Sequence, residues 1–76
     1  MRGNTLGARL TRYRQHRQWS QRELERLAGL AHGTVSRIER GTHAPSAAVV
    51  HHLAQVLGIA VCQLFPPMVE EDAHVA

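Results

Sequence analysis

The segment AGLAHGTVSRIERG, residues 28–41, is rich in side chains that donate hydrogen bonds and poor in apolar ones. An arginine guanidinium is planar, and its parallel N–H groups fit phosphate oxygens or the O6 and N7 atoms of guanine. Threonine, serine and histidine add single donors and acceptors for the same kinds of partner. We therefore interpret the polar face of this segment as a surface for a polyanionic ligand.

Residues that could support catalysis or bind a metal form no known constellation in the sequence. His51 and His52 are adjacent, so on a helix their side chains point about 100° apart and cannot chelate one ion. His16, His43 and His74 lack a neighbouring ligand pattern, and no nucleophile stands beside a base. We predict that the protein is not an enzyme and uses neither a cofactor nor a metal.

Basic and acidic residues are segregated along the chain. Residues 1–41 contain nine arginines and three glutamates, a balance of +6, whereas residues 42–76 contain three acidic residues, a balance of −3. The first part of the chain should therefore attract polyanions, and the second should repel them. On charge alone, an arginine-rich face that only meets solvent is the alternative interpretation.

The length of 76 residues allows one domain with one small core. No apolar run is long enough for a signal sequence or a membrane span, which predicts a cytoplasmic protein with no membrane partner. Cys62 is the single cysteine, and its position between Val61 and Leu64 predicts a buried, apolar role. We assign residues 1–66 to the domain and residues 67–76 to a short, acidic C-terminal tail, which we expect to be mobile.

Helical spacing recurs throughout, and no segment alternates with a period of two, so we predict an all-α protein. Five helices are expected, each with its own start or stop signal. The first begins after Thr5; the second begins at the capping box SQRE of residues 20–23 and ends at Gly29; the third runs from about His32 to Arg40 and ends at Gly41; the fourth begins after Ser46 and ends at Gly58; a short fifth precedes Pro66 and Pro67.

Two short helices joined by a glycine-containing turn are the arrangement in which the second helix can lie in a DNA major groove. Residues 21–41 match such a motif at Gln21, Leu24, Ala28, Gly29, Leu30, Val35, Ile38 and the final IERG. With Pro45 and LAQVLGI at residues 53–59, the sequence from Leu6 to Phe65 resembles the Cro and lambda-repressor-like family of helix-turn-helix proteins. The resemblance implies a compact five-helix DNA-binding domain whose helices 2 and 3 form the motif.

The resemblance also implies which side chains meet DNA. Bases would be contacted from the start of the third helix, the recognition helix, and one turn further on, where Arg37 is the strongest candidate for guanine. Phosphates would be contacted from the start of helix 2 and from the loop after helix 3. The expected DNA-binding residues are Gln21, His32, Gly33, Thr34, Ser36, Arg37, Arg40, Thr42, His43 and Ser46. Inert surface for His32 and a purely structural cap for Ser46 remain the alternatives.

Other positions of the family pattern concern the scaffold. An arginine late in helix 1 often pairs with the glutamate of the ERG sequence in this family, which implies a partly buried ion pair between Arg14 and Glu39. Glu25 departs from the pattern, since a small residue is usual there, and we expect its side chain to turn outwards or to find an arginine. Ala31 and Ala60 replace the usual caps of helices 3 and 5, so we expect a frayed start of the recognition helix without DNA.

These features predict a sequence-specific DNA-binding transcriptional regulator, a repressor that binds double-stranded DNA at an inverted-repeat operator as a homodimer. Apolar residues near the end of the chain are candidates for the dimer contact: Leu64, Phe65, Met68 and Val69. For Leu64 and Phe65 the alternative is that they close the core. The alternative function is an antitoxin or protein-interaction module that binds a protein partner through the C-terminal tail and regulates its own promoter.

Overall fold

The computed structural model of the protein describes residues 5–64, and this range is all-α, as predicted. Its helices are α1 (Leu6–His16), α2 (Gln21–Ala28), α3 (Thr34–Arg40), α4 (Ala47–Leu57) and α5 (Val61–Leu64). Helix α1 packs against α3 and α5, while α2 packs against α3 and α4. Helix α3 is therefore held between two other helices, and its remaining surface faces solvent.

Serine and threonine caps begin three of the helices. The side-chain oxygens of Thr5, Ser20 and Ser46 each accept a hydrogen bond from the backbone N–H three residues later, at 3.0 to 3.3 Å. These bonds satisfy amides that have no partner inside the helix. The predicted starts of α1, α2 and α4 are confirmed, and so are the glycine ends of α2, α3 and α4.

One apolar core joins all five helices. Its buried members are Leu10, Leu24, Ala28, Val35, Ile38, Val50, Leu53, Ala54, Leu57 and Leu64. Leu64 thus closes the core, which was the alternative to its role in a dimer contact. Phe65, Met68 and Val69, the other candidates for that contact, lie outside the described residues.

Helix α1 approaches α3 at a glycine. A Cβ atom added to Gly7 would lie 2.6 Å from the carbonyl oxygen of Glu39 and 2.7 Å from that of Ile38, closer than the atoms can approach. Glycine inside a helix costs about 1 kcal/mol relative to alanine, yet only glycine fits this contact. The close approach fixes the C-terminal end of α3 against α1.

Two predictions about helix ends and faces are wrong. Cys62 is exposed, because α5 has a single turn and turns Leu64, not Cys62, into the core. Helix α3 begins at Thr34 and not near His32, because Gly33 has a φ of 91°, which a helix interior does not accommodate.

Among residues 5–64, no helix has the length and apolar character needed to cross a membrane.

Candidate nucleic-acid interface

Helices α2 and α3 are joined by a tight turn. Gly29 adopts a left-handed conformation, and the Leu30 N–H donates to the Glu25 carbonyl at 2.8 Å, which ends α2. Helix α3 then turns Val35 and Ile38 into the core. The polar side chains between these two positions are left on the outer side of the helix.

The predicted DNA-binding residues all lie at or near the surface of this region. Six are exposed, namely His32, Arg37, Arg40, Thr42, His43 and Ser46, and four are half-buried, namely Gln21, Gly33, Thr34 and Ser36. One groove is lined by Gln21, His32, Gly33 and Ser36 together with Arg22 of α2. Arg40 and His43 line a separate groove beside the start of α1. The structure thus brings four of the ten residues together in one groove and two in another.

Arg37 packs over Gly33 and keeps its donors available. A Cβ atom added to Gly33 would lie 3.3 Å from Arg37 Nη1, so the guanidinium rests against the backbone of the turn. The side chain is exposed and has no hydrogen bond or ion pair within residues 5–64. A guanidinium in this state loses only water when it meets a base or a phosphate.

The arginines divide into structural and free groups, which the net charge alone did not reveal. In α1 and the turn after it, Arg9, Arg14 and Arg17 each donate to a backbone carbonyl, those of Gln63, Trp19 and Leu57 respectively. Arg17 also lies over the Trp19 ring, 5.4 Å from its centre. By contrast, Arg22, Arg37 and Arg40 have no protein partner among the described residues. Helices α2 and α3 thus carry three arginines that have no partner within residues 5–64.

Glu39 is the centre of a polar network beneath this surface. Its carboxylate accepts hydrogen bonds from Arg14 Nε at 2.8 Å, Arg14 Nη2 at 3.3 Å and Gln21 Nε2 at 2.9 Å. The expected ion pair is present, and the Arg14 and Glu39 side chains are only 11% and 7% exposed. Gln21, predicted to contact a phosphate, thus uses one amide proton inside the protein; its phosphate contact stays a prediction.

Two of the predicted phosphate contacts also have structural roles. Thr42 Oγ1 donates to the Arg37 carbonyl at 3.2 Å and helps to end α3. Ser46 Oγ accepts from the Val49 N–H and caps α4, which is the structural role left open for it. Both hydroxyls are exposed and retain further hydrogen-bonding capacity for a phosphate.

Glu25 has a role that the sequence analysis missed. Its side chain does not turn outwards but is buried, with 4% of the residue exposed, and its Oε2 accepts the Val35 N–H of α3 at 2.9 Å. The expectation for Glu25 is wrong because the contact between α2 and α3 brings this carboxylate to an unpaired helix amide. Glu25 thereby supplies a cap that α3 lacks in its own sequence, and fraying of α3 stays a prediction. A signal was present in the sequence, since an unusual acid on α2 coincides with a missing cap on α3.

A smaller compensation of the same kind begins α5. Gln63 Oε1 accepts the Ala60 N–H at 2.8 Å and so supplies part of the cap that Ala60 lacks.

Within residues 5–64, no three His, Cys, Asp or Glu side chains lie together in a way that could hold a metal ion.

The model of a helix-turn-helix domain family matches residues 5–64 of the chain. The chain belongs to the helix-turn-helix family. Its members include the uncharacterized HTH-type transcriptional regulator YazB of Bacillus subtilis, which is 31% identical over 67 residues, covering 88% of this chain and 97% of YazB. The predicted resemblance is confirmed, and the chain is a DNA-binding protein of the helix-turn-helix family of transcription regulators.

Two solved structures of the helix-turn-helix family share the fold. A hypothetical transcription factor NHTF from Neisseria superposes with a TM-score of 0.79 at 31% identity, covering 96% of this chain and 83% of that one. The restriction-modification controller protein C.AhdI from Aeromonas hydrophila superposes with a TM-score of 0.76 at 35% identity, covering 79% of this chain and 91% of its own. These relatives are named as regulators and not as enzymes.

Proposed function

We propose that this helix-turn-helix protein is a cytoplasmic, sequence-specific transcriptional repressor that binds an inverted-repeat operator as a homodimer. Bound across a promoter, such a dimer blocks access of the transcription machinery by occupying the same DNA. This function requires neither catalysis nor a cofactor, because the protein acts by occupying a DNA site.

The observation that carries the proposal is the state of Arg37. Its guanidinium is exposed, has no partner within residues 5–64 and rests on Gly33 at the start of the recognition helix. A bidentate contact from arginine to guanine discriminates against a wrong base by about 1–3 kcal/mol. Arg37 is therefore the residue that we assign to base readout.

Arg22 and Arg40 add positive charge to the two grooves, Arg22 beside Gly33 and Ser36 and Arg40 beside His43. Neither has a protein partner among residues 5–64, so both can neutralise phosphates. Such contacts release counterions, and each one adds about −0.9 to the slope of log K against log salt concentration on duplex DNA. Affinity for DNA should accordingly fall steeply with salt.

The short recognition helix supports the proposal of a dimer. Helix α3 has seven residues and reaches few base pairs, which is too little for one specific operator. Two copies related by a two-fold axis would place two such helices in successive major grooves, about 34 Å apart. The operator should then be an inverted repeat.

The test is selection of duplexes from a randomised library with the purified full chain at two salt concentrations, followed by sequencing. We expect an enriched inverted repeat containing a guanine in each half-site. Enrichment of no sequence would contradict the proposal. Salt-insensitive capture of a protein would instead favour the antitoxin or interaction-module alternative.

Two variants of Arg37 separate readout from charge. Arg37→Ala should lower affinity for the selected operator by about tenfold or more per half-site. Arg37→Lys keeps the charge but loses the planar fork, so we expect normal affinity for random duplex and reduced discrimination. Equal discrimination by wild type and Arg37→Lys would show that Arg37 contacts only phosphate.

A further inference from the structure

Glu25 is the one charged residue that is buried within residues 5–64. A buried carboxylate is costly unless hydrogen bonds compensate for the lost water. Its compensation is a bond from the Val35 N–H, a charge-assisted contact at 2.9 Å across the helix-turn-helix. The side chain on α2 thus supplies a cap to the recognition helix.

The recognition helix has no cap of its own. Gly33 stands at the N-cap position and has no side chain to offer, while the Thr34 N–H is bound by the Ala31 carbonyl at 3.1 Å. Without Glu25, the Val35 N–H would be a buried donor with no partner. The first turn of α3, which carries the residues nearest the bases, would then be the first part of the helix to open.

The second carboxylate oxygen faces the turn before α3. Glu25 Oε1 lies 3.7 Å from His32 Nδ1, an ion pair when the imidazole is protonated. The His32 side chain is 78% exposed, and within residues 5–64 the Glu25 carboxylate is the one group with which it can form an ion pair. A single buried side chain therefore acts on both the start of the helix and the position of His32.

Long-range electrostatics would disfavour an acid at this place in a DNA-binding surface. A negative charge beneath the interface repels phosphates, so its removal alone should strengthen binding to any DNA. The contacts of Glu25 act in the opposite direction, because they order the start of α3 before DNA binds. Apparent affinity is proportional to the fraction of protein that is in the binding-competent conformation, and an ordered helix start keeps that fraction high.

We propose that Glu25 is a specificity-determining positioning residue, which orders the first turn of the recognition helix and places His32 for contact with the operator. The proposal rests on the proposed function, since it needs an operator. It predicts that loss of Glu25 lowers specific affinity without lowering non-specific affinity, which neither a charge effect nor a general loss of stability produces.

The experiment compares wild type, Glu25→Ala and Glu25→Gln on the selected operator and on random duplex. Glu25→Ala should lower the ratio of specific to non-specific affinity by about fivefold or more, the effect of one lost cap, while affinity for random duplex stays equal or rises. Glu25→Gln keeps an acceptor for the Val35 N–H but loses the charge. Its ratio of specific to non-specific affinity should therefore lie between those of wild type and Glu25→Ala.

Two further measurements assign the effect. In a His32→Ala background, Glu25→Gln should change the ratio less than it does with His32 present, because the charge acts through His32. Amide exchange of the free proteins should show faster exchange at Val35 in Glu25→Ala and not in Glu25→Gln. If Glu25→Ala does not fold, Glu25→Gln and the double variant carry the test.

The outcomes that overturn the proposal are distinct from failure of the proposed function. Parallel increases in specific and non-specific affinity in both variants would show that Glu25 affects binding only through its negative charge. An unchanged ratio in Glu25→Ala, with wild type selecting an operator, would overturn the role of Glu25 alone. A wild-type protein that selects no duplex would overturn the proposed function itself, and the role of Glu25 with it.

Discussion

At the scale of single residues, the proposed DNA-binding surface depends on groups that are not part of it. Glu39 accepts hydrogen bonds from α1 and α2 while belonging to α3, so one carboxylate links the three helices. Pairs of this kind add little net stability, but removal of one partner leaves the other buried and uncompensated. The position of α3 relative to α2 therefore depends on Glu39.

We expect Glu39→Ala to lower the free energy of unfolding by about 3 kcal/mol, because the Arg14 guanidinium loses its partner at a largely buried site. Glu23→Ala is the matched control, since Glu23 pairs with Arg26 at a site where the side chains are 42% and 70% exposed. That change should cost less than about 1 kcal/mol. Urea unfolding followed by circular dichroism measures both, and equal losses would contradict the network.

The ion pair and the buried acid show what the sequence reveals at this scale. Arg14 and Glu39 were predictable because their positions match a family pattern. Glu25 was not, because its residue type alone favours solvent and its contact with Val35 depends on how closely α2 and α3 approach. Likewise, the carbonyl partners of Arg9 and Arg17 lie 54 and 40 positions away in the sequence, so only the fold identifies these arginines as structural.

At the scale of elements, helix boundaries follow local chemistry where a capping residue or glycine is present. Ser20 and Ser46 were correctly predicted as caps because their hydrogen bonds span only three positions. The start of α3 was placed two residues too early because GLAHG contains no such cap and the apolar pattern does not define the boundary. Gly33 sets the boundary through its backbone conformation.

Gly33→Ala should therefore have two effects. A non-glycine residue in the left-handed region costs about 1 kcal/mol, and the added Cβ would lie 3.3 Å from Arg37 Nη1, so the guanidinium must shift by a few tenths of an ångström. We expect a loss of stability of that size together with weaker operator discrimination, measured by thermal unfolding and by competition between operator and random duplex.

Gly29→Ala provides the control for this prediction. Gly29 has a φ of 67°, and a Cβ added there meets no atom within 4 Å. The stability loss should be similar to that of Gly33→Ala, while discrimination between sequences should be unchanged. If Gly29→Ala altered discrimination as much as Gly33→Ala, contact with Arg37 would not be the reason.

At the scale of the whole molecule, a small domain uses the same residue type for two tasks. Arg9, Arg14 and Arg17 link α1 and the following turn to carbonyls of other segments, whereas Arg22, Arg37 and Arg40 have no partner within residues 5–64 and are the ones proposed to bind phosphate and base. Segregation of charge along the sequence predicted a basic surface but could not show which arginines have partners within the protein. Only the hydrogen bonds between elements distinguish the arginines that pair within the protein from those that do not.

The proposed dimer makes a prediction that needs no knowledge of its interface. Two rigidly related recognition helices require half-sites on the same face of DNA. Insertion of about half a helical turn, roughly five base pairs, between the selected half-sites should reduce affinity to that of a single half-site. Band-shift titration measures this, and an operator that tolerates the insertion would indicate independent monomers.

The cap that Glu25 provides has a consequence for how this protein could change over evolution. In a helix capped by its own first residue, that residue is constrained by stability and cannot vary freely with the target sequence. Here the anchoring group lies on the neighbouring helix, and the exposed positions 31 and 32 carry no side chain on which the fold depends. Substitutions at these two positions can therefore change the preferred operator with little loss of folding stability. The turn is thus a position at which paralogues could diverge in the DNA sequence that they bind.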